Sequence, residues 1–155
     1  MKTAILIVLS MVSVLLVGCN SARVKTGVPK SFAVDKKIKG KGILLAAVEP
    51  EGTVYRVRKV EPKQDGSFEF WSEALSKHLT ENGYVKVSES DITVSGVKGQ
   101  QYEYNVPVGA KDYIYQVAMI PNQGDLIVVE ASGDRKRFDQ LRSEVDKAIQ
   151  DLEIK

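Results

Sequence analysis

The spacing of apolar residues between Gly42 and Ile154 changes along the chain, and this order limits the fold more than any other feature. Stretches in which every second residue, or nearly every residue, is apolar indicate β-strands. Stretches in which apolar residues recur every three or four positions indicate amphipathic helices. The order is two strands, a helix, several consecutive strands and a second helix. It predicts an α+β fold in which two main helices pack on an antiparallel β-sheet.

The two predicted helices begin and end at residues with suitable local chemistry. The first covers residues 68–82, with Ser67 as its N-cap and Gly83 suited to the left-handed conformation that ends a helix. The second begins near Asp134, another N-cap residue, and continues to about Asp151. Both helices carry an apolar stripe that a sheet can bury.

Short polar or glycine-containing turns separate the predicted strands. The first two strands form a hairpin, with Tyr55 and Val57 on one face and Arg56 and Arg58 on the other. We expect a tight turn at residues 96–99. The predicted strands are 42–48, 53–60, 84–88, 92–95, 100–106, 113–120 and 125–131, with 32–34 and 152–154 as further short candidates.

The start of the chain combines a positive charge, an apolar run and a single cysteine. Lys2 precedes 14 residues without a charge, residues 4–17. A helix that spans a bilayer needs about 20 apolar residues, so this run is short for a permanent anchor and has the length of a signal-peptide core. The run ends in Leu16-Val17-Gly18-Cys19, which resembles the lipobox of bacterial lipoproteins.

The resemblance to a lipobox implies that residues 1–18 are a signal peptide and that Cys19 becomes the lipidated N-terminus of the mature chain. Several acyl chains would anchor the protein stably in a membrane. Because Cys19 is the only cysteine, acylation leaves no thiol for catalysis, redox chemistry or metal binding. Asn20 follows it in place of aspartate. By analogy with enteric bacteria, this favours the outer membrane, with the protein facing the periplasm.

Residues 19–41 are predicted to form a basic, flexible tether between the membrane and a single domain, residues 42–155. Glycines and Pro29 interrupt regular structure there, and seven basic residues stand against one acid, Asp35. Two interpretations are open: the lysines bind anionic lipid headgroups, or they only keep a linker soluble. The lysines predicted to lie at the membrane surface are Lys36, Lys37, Lys39 and Lys41.

The order of apolar segments and turns along the sequence resembles that of one known architecture. A helix containing Trp71 to Leu79 ends at Gly83-Tyr84, and a Gly96-Val-Lys-Gly99 turn leads into an aromatic strand. The strand Val128-Val-Glu-Ala-Ser-Gly133 then precedes a helix beginning near Phe138. This order is similar to PsbP-like domains, a fold shared by an extrinsic photosystem II subunit, a Ran-binding import factor and many bacterial lipoproteins.

The PsbP-like resemblance covers residues 42–154. It implies an α/β/α sandwich that is used mainly for binding and assembly, and it carries over no catalytic residue. The family commonly ends in a Ser-Phe strand, whereas this chain has Asp151-Leu-Glu-Ile154. The last strand is therefore where this chain departs from the family.

The sequence contains few of the patterns that mark catalytic or metal-binding sites. The formal net charge is +2, and nucleic-acid binders usually carry a larger basic excess. His78 is the only histidine and is expected in or beside the core; we predict no metal and no cofactor. Glu130 interrupts an apolar strand and is the carboxylate that a small hydrolase would use. Its simpler interpretation is a strand-end residue that faces water.

Four tyrosines alternate on two consecutive predicted strands, and they are Tyr102, Tyr104, Tyr113 and Tyr115. If these strands pair, the four rings share one face of the sheet. Two interpretations are open. The rings form an exposed platform for a protein or glycan partner, or they lie beneath a helix as part of the core.

We therefore expect a lipid-anchored envelope protein that binds or assembles with an envelope protein partner and is not an enzyme. The alternatives are a small envelope hydrolase using Glu130 and a protein that binds a small hydrophobic ligand between helix and sheet. A deep pocket around Glu130 or His78 would favour the hydrolase. A shallow exposed patch that includes the tyrosines would favour the binding protein.

Overall fold

The computed structural model describes residues 24–155, which contain nine strands and two helices. The strands are β1 (Val24–Lys25), β2 (Ala33–Val34), β3 (Ile43–Val48), β4 (Val54–Val60), β5 (Val85–Val94), β6 (Val97–Val108), β7 (Lys111–Asn122), β8 (Asp125–Asp134) and β9 (Glu153–Ile154), and the helices are α1 (Phe68–Glu81) and α2 (Arg135–Gln150). Seven strands form one antiparallel sheet in the order β2-β3-β4-β8-β7-β6-β5, and β1 pairs with β9. The predicted signal peptide, lipobox and Cys19 lie outside the described residues.

One helix packs on each face of the sheet, with its own apolar core. The face under α2 buries residues from β4, β7 and β8, and the face under α1 buries residues from β6, β7 and β8. The α2 core includes Tyr55, Val57, Ile114, Ile127, Val129, Phe138, Leu141 and Val145, and the α1 core includes Trp71, Leu75, Leu79, Tyr102, Tyr104, Val117 and Val128. This arrangement is an α/β/α sandwich and confirms the predicted α+β class.

Both predicted N-caps are present. The Ser67 hydroxyl accepts a hydrogen bond from the Phe70 backbone N–H, 3.2 Å away. The Asp134 carboxylate accepts from the backbone N–H groups of Lys136 and Arg137. Each cap satisfies donors that have no partner within the helix, which explains why the helices begin where the sequence predicts.

The edge strand β5 differs from the prediction of two short strands, 84–88 and 92–95, followed by a turn at 96–99. It is one strand of ten residues, with a shift in its pairing to β6 between Lys86 and Ser88. The turn contains only Ser95 and Gly96, whose φ angles are 51° and 77°. Two positive φ angles in succession match the right-handed twist of a hairpin, so the strands can continue up to the turn.

The prediction of a flexible tether is wrong for residues 24–41, which belong to the domain. The strand β1 pairs with β9, and β2 pairs with β3 at the edge of the sheet. Phe32 is buried, and both the backbone N–H and the hydroxyl of Ser31 donate to Glu144 on α2. Two-residue strands and a single buried ring leave no periodic pattern, so the basic composition dominates this part of the sequence. Within residues 24–155, neither helix is long and apolar enough to cross a membrane.

Phe32→Ala should destabilise the domain by about 3 kcal/mol, because it removes a buried ring from the core. The Phe32 ring packs edge-on against Tyr55, with ring centroids 6.3 Å apart. The measurement is urea denaturation of the mature chain. Val34→Ala is the control, since that side chain is exposed and its loss should change the free energy of unfolding by less than about 0.5 kcal/mol. Equal midpoints for the two variants would show that this segment adds nothing to the core.

Candidate functional site

Glu130 lies at the centre of a charged cluster on the α1 face of the sheet. Its Oε2 is 2.8 Å from Nε of Arg56 and 2.8 Å from Nε of Arg58. Its Oε1 accepts from Nη2 of Arg58 at 3.2 Å and from the Tyr115 hydroxyl at 2.8 Å. The Glu130 side chain is only 9% exposed, whereas each arginine is 36% exposed. The carboxylate is therefore beneath two guanidinium groups that reach solvent.

The sheet register brings these four residues together. Arg56 is directly opposite Glu130 across β4 and β8, and Val117 is opposite Glu130 on β7. Successive side chains alternate between the faces of a strand, so Arg58 and Tyr115, two positions away, share the face of Glu130. Tyr55 and Val57, which alternate with the arginines, lie in the α2 core. The interpretation of Glu130 as a residue that faces water is wrong.

The Tyr115 hydroxyl is a permanent donor to Glu130. Burial raises the pKa of Tyr115 well above its ordinary value, and the negative charge of Glu130 raises it further. The phenol stays protonated because both effects disfavour the phenolate. A protonated phenol donates one hydrogen bond, and here that bond reaches the carboxylate.

This geometry is suited to binding more than to carboxylate catalysis. Both oxygens of Glu130 already accept from arginine or tyrosine, so a substrate would have to displace one of these donors. A guanidinium has five N–H donors, and the bonds to Glu130 use only part of those of Arg56 and Arg58. The remaining donors fit carboxylates or phosphates on a partner. The alternation in β4 predicts that Arg56 and Arg58 share one face of the strand. They belong to no sequence motif, so the sequence does not identify them as site residues.

The four tyrosines lie on one face of the sheet, but their exposure differs. Tyr104 is opposite Tyr115, and the pairs next to them place Tyr102 and Tyr113 on the same face. Tyr102 and Tyr104 are 2% and 0% exposed beneath α1. Tyr113 and Tyr115 are partly exposed. The predicted binding face is therefore wrong for Tyr102 and Tyr104, because α1 covers both rings.

Other candidate residues have simpler positions. His78 is exposed near the end of α1, whereas the sequence predicted it in or beside the core. The predicted membrane-surface lysines lie in the loop between β2 and β3, and all four are exposed: Lys36, Lys37, Lys39 and Lys41. Residues 24–155 contain no group of three or more histidine, cysteine or carboxylate side chains arranged to hold a metal.

Four depressions of about 320–410 Å³ lie on the surface formed by residues 24–155. Three of them are lined in part by α1, and one of these three contains Phe68, Trp71 and Leu126 with polar residues around them. All four are open to solvent, and neither Glu130 nor His78 lines any of them. The deep pocket that would favour a hydrolase is not among these four depressions.

A second buried carboxylate, Glu49, ties the β3–β4 turn to the start of α2. It is 1% exposed, and its Oε1 accepts from Nε of Arg137 at 3.1 Å. Its Oε2 accepts from the backbone N–H of Glu51 at 3.0 Å. The bond from Arg137 holds the pKa of Glu49 below the ordinary value for glutamate, although burial acts in the opposite direction. Glu49 therefore fixes the end of the sheet nearest Tyr113.

Glu130→Gln should destabilise the domain by about 2 kcal/mol, because two guanidinium groups lose their countercharge in a largely buried cluster. The partial exposure of both arginines reduces the loss below that of a fully buried pair. Chemical denaturation at neutral pH measures the change. Glu61→Gln is the matched control, since Glu61 is 60% exposed and 3.9 Å from its lysine partners. A Glu130→Gln midpoint equal to that of the control would mean that the cluster does not stabilise the fold.

Glu49→Gln should lose stability in a manner that depends on pH. A carboxylate whose pKa is lowered on folding stabilises the fold above the pKa of the unfolded chain, about 4.3, and this contribution is lost as the pH falls through the folded pKa. The difference between wild type and variant should be full at pH 7 and should shrink below about pH 4. Glu73→Gln, an exposed position on α1, provides the control. A difference that does not change with pH would contradict the assignment.

No protein family and no curated protein matches the sequence of this chain. Solved structures do share its fold. LpqN of Mycobacterium tuberculosis, which is involved in cell envelope biogenesis, superposes with a TM-score of 0.67 at 14% identity, over 86% of this chain and 84% of LpqN. A Pseudomonas aeruginosa protein of unknown function gives 0.62 at 10% identity, over 77% of this chain and 94% of its own.

The cyanobacterial PsbP protein of Synechocystis, CyanoP, superposes with a TM-score of 0.57 at 16% identity. The match covers 90% of this chain and 95% of CyanoP. Identities this low establish the architecture alone. The superposition on CyanoP, together with the antiparallel sheet and its two helices, shows that the described domain has a PsbP-like α/β/α fold.

Proposed function

We propose that this protein is a lipid-anchored module of the bacterial cell envelope, which binds or assembles with an envelope protein and is not an enzyme. The observation that carries the proposal is the tetrapeptide Leu16-Val17-Gly18-Cys19 at the end of a short apolar run. A diacylated Cys19 would hold the domain on the periplasmic side of a membrane, and Asn20 favours the outer membrane. The fold is compatible with this role, since LpqN, with the same architecture, acts in envelope biogenesis.

The partly exposed sheet surface around Tyr113, Tyr115, Arg56 and Arg58 is the proposed recognition surface. Tyrosine and arginine are enriched among residues that dominate protein–protein binding energy. Here Tyr115 and both arginines are held by Glu130, so they lose little conformational freedom when a partner binds. The unused guanidinium donors favour a partner with carboxylates on its surface.

Cys19→Ala should abolish acylation and release the protein from the membrane fraction. The measurement is metabolic labelling with a fatty acid analogue, followed by fractionation of cells expressing the full chain. Asn20→Ala is the control, because it leaves the cysteine and the three residues before it in place. Continued labelling of the Cys19→Ala variant would contradict the lipobox assignment.

The recognition surface is tested with a photoreactive amino acid at position 113 of the acylated protein. Irradiation of intact cells should produce a cross-link to one envelope protein. The matched control carries the same group at Phe70, which is 53% exposed on α1 and should give no adduct with that protein. Equal cross-linking from both positions would show that the sheet surface is not selective.

A further inference from the structure

Val24, the first described residue, lies at one end of the sheet. It pairs with Ile154, whose backbone N–H donates to Oγ of Ser95, 3.1 Å away. Ser95 is in the β5–β6 turn, and the same hydroxyl donates to the backbone oxygen of Leu152 at 2.6 Å. The chain therefore enters the domain beside the β5–β6 turn.

The loop with the four exposed lysines lies at the same end of the sheet. It returns to β3 at Gly42, whose backbone oxygen accepts from the Lys59 N–H at 2.7 Å. Lys59 is near the end of β4, where Val60 pairs with Leu126 beside the β7–β8 turn. The β7–β8 and β5–β6 turns share this end, because β6 and β7 pair antiparallel from Gln100 and Met119 onward. We call this end the lysine end.

The lysine end carries a local excess of positive charge. Residues 35–42 contain four lysines and one aspartate, Asp35. The Lys41 side chain is 92% exposed, and its nearest carboxylate oxygen, on Glu61, is 3.9 Å away. At the other end of the sheet, β7 begins with Lys111 and Asp112, and the β3–β4 turn carries Glu49 and Glu51. The start of α2 lies at this end as well, where Asp134 is followed by Arg135, Lys136 and Arg137. The four basic and four acidic residues named at that end balance, whereas residues 35–42 carry a net charge of 4 − 1 = +3.

The chain between the predicted anchor and the domain is short. Only four residues separate Cys19 from Val24, so their Cα atoms are at most about 18 Å apart even in a fully extended chain. The lysine loop joins the sheet at β3, and the entry point lies beside β6. These two strands are four strand spacings, or about 19 Å, apart in the sheet. Because the entry point and the loop lie at the same end of the sheet, a membrane that meets this end can contact both.

We propose that the acylated domain stands with its lysine end against the membrane, where Lys36, Lys37, Lys39 and Lys41 bind the phosphate groups of anionic phospholipids. This rests on the proposed acylation of Cys19 and deepens it, because it assigns an orientation and a lipid class. The four ammonium groups are carried by a folded loop that is anchored at both ends to the sheet. The opposite end, with Tyr113 and the β6–β7 turn, is directed away from the bilayer.

The orientation is tested on the full acylated protein in vesicles of phosphatidylcholine and phosphatidylglycerol that contain a lipid with a quencher on its headgroup. Acylation occupies Cys19, so a second cysteine can be labelled selectively with a fluorophore. Lys39→Cys places the label at the lysine end, and Ala110→Cys places it in the β6–β7 turn. We expect quenching several-fold stronger at position 39 than at position 110. Equal or reversed quenching overturns the proposed orientation.

The lipid class is tested by replacing the four lysines with glutamine. Acylation should still hold this variant on vesicles. With wild-type lysines, a label at Gln123→Cys, an exposed position in the β7–β8 turn, should be quenched more strongly when phosphatidylglycerol replaces part of the phosphatidylcholine. In the glutamine variant this increase in quenching should be absent. The matched control replaces four lysines elsewhere, Lys77, Lys86, Lys111 and Lys136, and should respond like the wild type. A response that survives in the loop variant overturns the role of these lysines.

The intact mass of the purified protein separates the two levels of failure. A chain without acyl mass overturns the lipid anchor, and with it the orientation that depends on it. An acylated chain that sediments with vesicles but is quenched equally at positions 39 and 110 leaves the anchor intact and overturns only the orientation.

Discussion

The antiparallel register of β4, β8 and β7 is the constraint on which the rest of the structure depends. It places Val57 opposite Val129 and Ala118 opposite Val129, so the apolar residues of three central strands meet under α2. One position along, the same register places Arg56 opposite Glu130 on the other face. A slip of one residue would move the arginines into the α2 core and the valines out of it. The core and the charged cluster are therefore two results of one pairing.

The charged cluster also explains why α1 and α2 cover their faces differently. The α2 face is mainly apolar across the central strands, and its buried Gln116 on β7 donates to Asp146 of α2 at 2.7 Å. On the α1 face, apolar contacts with the helix involve Val117, Met119, Leu126 and Val128, and Glu130 with its arginines follows directly along β8. Burying a carboxylate requires donors that stay in place, and the arginines supply them while keeping contact with water. The result is a sheet surface that is ordered without being covered by a helix.

Much of the fold could be predicted because its signals are local and repeated. Helix caps at Ser67 and Asp134 and the alternation in β4 and β6 each act within a few residues. The docking of residues 24–41 could not be predicted, because it depends on Phe32 meeting Tyr55 and on pairs formed with the far end of the chain. The site shows the same division. The sequence placed Arg56 and Arg58 on one face, but the burial of Glu130 and of Tyr104 follows from strand pairing and from the position of α1.

If copies of this domain are crowded into a thin layer above a membrane, the long edge strand β5 is the part of the sheet through which two copies could pair. Confinement raises the local concentration, and an unpaired ten-residue edge with exposed Val85 and Val87 is a template for cross-β assembly. The pairing shift at Val87 distorts this edge, and the ion pair between Lys86 and Glu89 places charges along it. A distortion of the strand and charged side chains disfavour edge-to-edge pairing between sheets, and β5 has both.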